Sequence, residues 1–174
     1  YGIYQQQIID PEGGIFKRRW FNYFIDYPPG FYSSYLTIDL AFSKEKTADY
    51  TVVMHTKVDS VGKLYIHDYV RARMNIKELI DIIFDYKRRI PTLVGVWVEL
   101  QPSETEVNSA TLYAIREEMK RRGEFFRLEG LRPSGNKTAR AQALVDLFAN
   151  GRVFLRQTQH ELIEELLTFT GVDD

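Results

Sequence analysis

Three runs in the first half of the chain alternate apolar and polar residues with the period of a half-buried strand. Residues 35–42 open with Tyr35-Leu36-Thr37-Ile38-Asp39, and residues 50–58 contain Tyr50-Thr51-Val52-Val53-Met54-His55-Thr56. Residues 64–70 follow the turn Asp59-Ser60-Val61-Gly62-Lys63. Their close spacing predicts an antiparallel meander. The period then changes. Asn75 can cap a helix that puts Ile76, Leu79, Ile80, Ile83 and Phe84 on one face. A strand over 92–98 follows. The next helix starts at Pro102-Ser103 and runs to about residue 122, with Val107, Ala110, Leu112, Ile115 and Met119 at helical spacing. A short strand at 125–128, a helix over 136–149, a hairpin-like segment at 152–155 and a helix over 158–167 complete the pattern. Residues 1–34 are turn-rich and aromatic and read as a connector that docks through its rings, leaving 35–174 as one domain.

This order predicts an α/β fold with a mixed five-stranded sheet flanked by helices. Its first three strands are antiparallel, its last two are parallel, and an extra β-hairpin is appended. A right-handed crossover places 92–98 beside 35–42 and parallel to it. Both runs end in a carboxylate: Asp39 closes the first, and Glu99 closes Val94-Gly95-Val96-Trp97-Val98-Glu99. Alternation puts Leu36 and Ile38 on one face and Thr37 and Asp39 on the other. In the second run, Gly95, Trp97 and Glu99 share a face. The two acids can therefore project together, at the carboxyl ends of strands where open α/β sheets bind ligands. Two apposed carboxylates repel, and a divalent cation relieves the repulsion. Taken singly, Asp39 also fits a loop cap and Glu99 a surface ion pair.

The chain has 174 residues and no cysteine, which excludes disulfides, thiolate metal sites and a cysteine nucleophile. No apolar run reaches membrane-spanning length. The N-terminus lacks the features of a signal peptide. Because the sequence opens on Tyr1 and stops at Asp174, it is expected to be a piece of a longer protein. The net charge of −1 argues against a uniformly basic nucleic-acid binder, but the charge is unevenly spread. Residues 71–140 carry 14 basic and 10 acidic residues, whereas 141–174 carry 2 and 6. That matches a basic surface beside an acidic site, and equally a set of solvated helix faces.

Other motifs are weaker. Gly130-Leu131-Arg132-Pro133-Ser134-Gly135-Asn136-Lys137-Thr138 falls one residue short of a phosphate-binding P-loop register, because Asn136 separates the second Gly from the Lys. Arg132, Lys137 and Arg140 fit phosphate contacts along a nucleic-acid backbone better than a nucleotide cradle. His55, His67 and His160 show no metal-ligand spacing in the sequence. Asp173-Asp174 form an acidic pair at the end of the chain.

Four segments together resemble the C-terminal nuclease domain of tailed-phage terminase large subunits. Asp39-Leu40-Ala41 with Lys46-Thr47-Ala48-Asp49-Tyr50-Thr51-Val52-Val53 resembles the first acidic motif and the strand after it. Val96-Trp97-Val98-Glu99-Leu100-Gln101 resembles the second. Asn136-Lys137-Thr138-Ala139-Arg140-Ala141, running to Gly151-Arg152-Val153, resembles the segment before the third. Gly171-Val172-Asp173-Asp174 resembles the start of the third, with Val172 where the family usually has His.

The resemblance implies an RNase H-like fold and a Mg2+- or Mn2+-dependent endonuclease with two ions per site. Asp39, Glu99, Asp173 and Asp174 would be the metal ligands, with Asp39, Glu99 and Asp174 catalytic. Lys46, Arg132, Lys137 and Arg140 would meet DNA. The substrate would be concatemeric double-stranded viral DNA, cut with little sequence preference. The partners would be a packaging ATPase domain in the same full-length chain, a portal and a small terminase subunit, in the host cytoplasm and away from membranes. The alternatives are another RNase H-like nuclease, such as a Holliday-junction resolvase, or a non-catalytic docking module on the same fold.

Overall fold

A computed structural model describes residues 14–41 and 50–171. Its strands are β1 (Asn22–Tyr23), β2 (Tyr32–Asp39), β3 (Thr51–Asp59), β4 (Leu64–Ala72), β5 (Leu93–Glu99), β6 (Leu128–Leu131) and β7 (Val153–Leu155). Its α-helices are α1 (Ile76–Arg89), α2 (Ala110–Arg122), α3 (Lys137–Ala149) and α4 (His160–Thr168). The strands form one sheet in the order β1-β7-β4-β3-β2-β5-β6. The meander β2-β3-β4 is antiparallel, and β5 lies parallel to β2 on its other side, as the crossover rule requires.

Among the described residues the sheet has seven strands rather than five. The segment at 152–155 is not a hairpin: β7 is a single strand, parallel to both β4 and β1. Gly151, at φ 65°, ends the preceding helix, and β7 then slots in beside β4. Two residues of the expected connector, Asn22 and Tyr23, supply the outer neighbour of β7. The last expected strand also shifts. Residues 128–131 pair with β5, while Phe126 packs on the core.

Helix α1 starts where its pattern predicts. Asn75 accepts from the Glu78 amide at 3.0 Å, and the Glu78 carboxylate accepts from the Asn75 amide at 2.8 Å, a reciprocal cap. Helix α2 starts later than the sequence suggests. Thr105 and Asn108 bond each other's backbone amides and hold that stretch in turns. Ser109 then caps the helix, accepting from Leu112 N. Val107 is consequently 91% exposed instead of packing in the core.

Two hydrophobic clusters result. Leu36, Ile38, Val53, Val96 and Val98 bury one sheet face beneath α1 and α2, against Ile83, Phe84, Leu112 and Ile115. Toward the β7 edge, Phe16, Phe21, Val145, Phe148, Val153, Leu155 and Ile163 join α3 and α4 to the segment before β1. Gly14 sits so close to Leu167 and Phe169 that a Cβ there would lie 2.1 Å from the Leu167 carbonyl oxygen. The glycine thus permits the N-terminal segment to lie against the end of α4, where Ile15 N donates to Phe169 O at 2.9 Å.

Candidate active site

The parallel register of β2 and β5 pairs Thr37 with Trp97 and Ile38 with Val98. One step further along the same register, Asp39 lies beside Glu99, and each is the last residue of its strand. Ile38 and Val98 are buried beneath the α1 and α2 layer, so Asp39 and Glu99 face the other way. Both line one cleft of about 320 Å3, with Thr37 and Trp97 beside them and Arg71 of β4 in the wall. Helix α4 closes the opposite side with Glu161, Leu162 and Glu165.

Local packing fixes the cleft floor. Trp97 Nε1 donates to Glu129 at 3.1 Å, and Glu129 also accepts from Arg127 at 2.6 Å. A Cβ on Gly95 would lie 3.0 Å from Arg127 and 3.1 Å from the Trp97 ring, so a larger residue there would crowd both.

The electrostatics suit a cation. Desolvation raises the Asp39 pKa above that of an ordinary carboxyl, and Arg140 opposes the shift. A carboxylate raised by its own surroundings is one whose ionised form gains from a nearby positive charge. Asp39 and Glu99 offer only hard oxygen donors, the chemistry of Mg2+ and Mn2+ rather than of Zn2+ or Cu2+. The residues present thus fit such an ion. Asp173 and Asp174 lie outside the described residues. The last described residue, Gly171, is bound at α3, where its carbonyl accepts from Thr138 Oγ1 at 2.6 Å.

Three of the four basic residues singled out by sequence lie within the described residues. Lys46 lies outside the described residues. Arg132 is exposed and donates to the Glu104 carbonyl at 2.7 Å. The Lys137 ammonium lies 5.5 Å from the Phe169 ring centre. Lys137 and Arg140 line a groove of about 260 Å3 that also includes Glu165, which borders the acidic cleft too. Basic and acidic surfaces are therefore continuous. The near-P-loop is a helix cap: Asn136 accepts from Ala139 N at 2.8 Å and fills the helix N-terminus that a phosphate would need.

Sequence reasoning missed Glu161 and Glu165. Their signal was an i, i+4 pair of acids, which sets both on one helix face, inside the acid-rich end of the chain. It also missed Arg71, which lines the cleft and whose guanidinium carbon lies 4.0 Å from the Tyr50 ring centre.

No protein-family model and no curated protein sequence matches the chain. Solved structures do. The large terminase of a thermophilic bacteriophage superimposes with a TM-score of 0.61 at 11% identity, over 92% of this chain. This chain spans only 39% of that protein. The human cytomegalovirus terminase nuclease domain, soaked with Mn, gives 0.58 at 9% identity, over 82% of this chain and 76% of that one. The large terminase nuclease domain of a Thermus phage gives 0.50 at 17% identity, over 78% and 61%. The chain thus has the RNase H-like fold of the terminase large-subunit nuclease domains.

Proposed function

We propose that this chain is a divalent-metal-dependent DNA endonuclease, the nuclease domain of a viral terminase large subunit. The observation that carries the reading is the convergence of Asp39 and Glu99 on one sheet face, at the ends of adjacent parallel strands, in a cleft walled by further acids. The shared fold supports it.

Asp39 and Glu99 would hold Mg2+ or Mn2+, with Asp174, or failing it Asp173, as the third ligand. Cations held there would lower the pKa of a bound water and offset the charge that develops on the leaving oxygen. The protein's own part is positional. Asp39 and Glu99 would hold the ion from two neighbouring interior strands of the sheet. Trp97 shapes the floor. Arg132, Lys137 and Arg140, together with Lys46, would hold phosphates and so bind without regard to sequence. The proposed substrate is concatemeric double-stranded viral DNA in the host cytoplasm, cut for a packaging ATPase domain in the same full-length chain that works with a portal and a small subunit. Among the described residues, no helix is long and apolar enough to cross a membrane.

The test is cleavage of supercoiled plasmid and of linear duplex by the purified protein with Mn2+, beside Asp39→Asn and Glu99→Gln. Cleavage by the parent and loss in both variants is expected. Equal cleavage by both variants would refute the site. A strong preference for four-way junctions over duplex would make the chain a resolvase instead.

A further inference from the structure

The sheet face opposite the acidic cleft carries a second cluster of titratable groups. The pairing of β3 with β4 shifts register between His55 and Thr56, so that His55 lies opposite Asp68 and Thr56 opposite Ile66. His67 is the extra residue on β4. The bulge brings two consecutive residues, His67 and Asp68, up to His55. The two imidazole centres are 4.8 Å apart. One donor atom each from His55, His67 and Asp68 lies within 4.8 Å of the others.

His55 is 2% exposed. Its Nδ1 lies 3.5 Å from Asp68 Oδ1, but its Nε2 is buried with no hydrogen-bond partner among the described residues. Buried polar atoms are almost always bonded, so this one needs an explanation. We propose that His55, His67 and Asp68 form a binding site for a transition-metal dication of the Zn2+ type, separate from the acidic cleft.

Three features support the donor set. Two imidazoles and one carboxylate are borderline donors that favour Zn2+, Ni2+ or Co2+ over Mg2+. His67 and Asp68 each have a fixed outer partner of the kind that orients metal ligands. His67 Nδ1 is 2.5 Å from Tyr27 Oη, leaving Nε2 for an ion, and Tyr86 Oη donates to Asp68 at 3.0 Å. A cavity of about 170 Å3 beside the three groups leaves room for a water ligand. Ligands of a tetrahedral Zn2+ lie about 3.4 Å apart, so the widest separation in the cluster, up to 4.8 Å, must close by up to about 1.4 Å.

Protonation works in the same direction. Burial pushes the His67 pKa down to about 4, so its lone pair is free at neutral pH. Burial alone would raise the Asp68 pKa, but hydrogen bonds from His55 and Tyr86 outweigh it and keep the carboxylate ionised. Among the described residues, Arg89, Arg156 and Lys57 face the cluster. Arg89 is neutralised by Asp85 at 2.8 Å, and Arg156 is bound to the His67 and Ile25 carbonyls. Lys57, whose ammonium lies 4.3 Å from the Tyr27 ring centre, has its pKa lowered by burial. The inward carboxylate of Asp68 sets the pocket against an anion. The ion would be structural, tying the β3–β4 bulge through Tyr27 to the segment between β1 and β2.

The test uses the whole chain, stripped with a chelator. Zn2+ is titrated by calorimetry and by thermal unfolding, and Co2+ is followed by its visible d–d absorption. With excess Mg2+ present to occupy the acidic cleft, one Zn2+ per chain with a raised Tm is expected. His67→Ala and Asp68→Asn should each weaken binding by more than about 100-fold, and Tyr27→Phe by about 10-fold. His67 is only half-buried, so its variant keeps the core that His55→Ala would disturb. Asp39→Asn should bind Zn2+ as the parent does. The site is refuted by the absence of stoichiometric Zn2+ binding, by unchanged affinity in folded His67→Ala or Asp68→Asn, or by loss of Zn2+ in Asp39→Asn. A Tm raised by inorganic phosphate and not by Zn2+ would refute it as well. None of these outcomes bears on DNA cleavage.

Discussion

Asp39→Asn should have opposite effects on the metal-free and the metal-bound protein. Burial raises the Asp39 pKa, so its ionised carboxylate destabilises the metal-free fold. A second carboxylate about 5 Å away, the spacing of adjacent strands, would add repulsion of about 3 kcal/mol at an effective dielectric constant near 20, which water at an open strand end reduces to about 1 kcal/mol. Removing one charge should therefore raise the Tm of the metal-free protein by about 2–4 °C for a chain of this size. The pH dependence follows from the raised Asp39 pKa. Below the unfolded-state pKa both states are protonated and the substitution gains nothing. As pH climbs from the unfolded-state to the raised folded-state pKa, the unfolded chain ionises first, so the advantage of Asn grows across that interval and is complete above it. Mn2+ reverses the ranking. At about a hundred times its Kd, a bound ion stabilises by about 2.7 kcal/mol, which is about 5–10 °C for the parent and near zero for the variant. Differential scanning calorimetry with and without Mn2+, at acid and neutral pH, reads both effects. An equal Mn2+ shift in Asp39→Asn would remove Asp39 from the metal centre.

Four other perturbations separate fold from function. Gly130→Ala should cost about 1–3 kcal/mol, because its Cβ would lie 2.6 Å from Leu100 Cδ1, and Leu100→Ala in the same chain should recover part of the loss in urea unfolding. Phe148→Ala should cost about 3–5 kcal/mol, since the ring is 4% exposed and sits 5.3 and 5.2 Å from the Phe16 and Phe21 rings; proteolysis should then release the N-terminal segment first. Arg140→Gln should weaken duplex binding alike on unrelated sequences and flatten the salt slope by about one unit, and it should move the acid limb of the pH–rate profile upward, because Arg140 holds the Asp39 pKa down. Asp68→Asn should lower stability at neutral pH but not below the folded-state pKa, because stability from a depressed carboxyl is lost as pH falls through the folded value; urea unfolding across that range checks the sign.

Period-2 alternation revealed much of this sheet because its central strands bury one face only. Leu36, Ile38, Val53, Val96 and Val98 all fall where alternation puts them, and this alone sets Asp39 and Glu99 on a common face. The outer strands were not legible for the same reason in reverse. Asn22–Tyr23 and Val153–Leu155 are two and three residues long, too short to show a period, and each is a strand only because the other and β4 are there to pair with it. The start of α2 was misplaced because Val107 kept helical spacing while Thr105 and Asn108 had already claimed the local amides.

The two clusters of titratable groups show how far such reasoning carries. The pair in the cleft obeys regular geometry: both acids end a strand, both follow strict alternation, and the register between the strands brings them together. The His55, His67 and Asp68 cluster depends on a break in that geometry. Alternation assigns His67 and Asp68 to opposite faces of β4, and only the extra residue of the bulge turns both toward His55. A β-bulge leaves no mark in the hydrophobic pattern when the residues around it are polar, as His67 and Asp68 are. Glu161 and Glu165 are similar: their i, i+4 spacing sets them on one face of α4, but which cleft that face meets follows from how α4 packs with Phe16, Phe148 and Leu155. A site set by strand register can therefore be read from one sequence. One set by a bulge or by helix docking becomes visible only when the long-range packing is known.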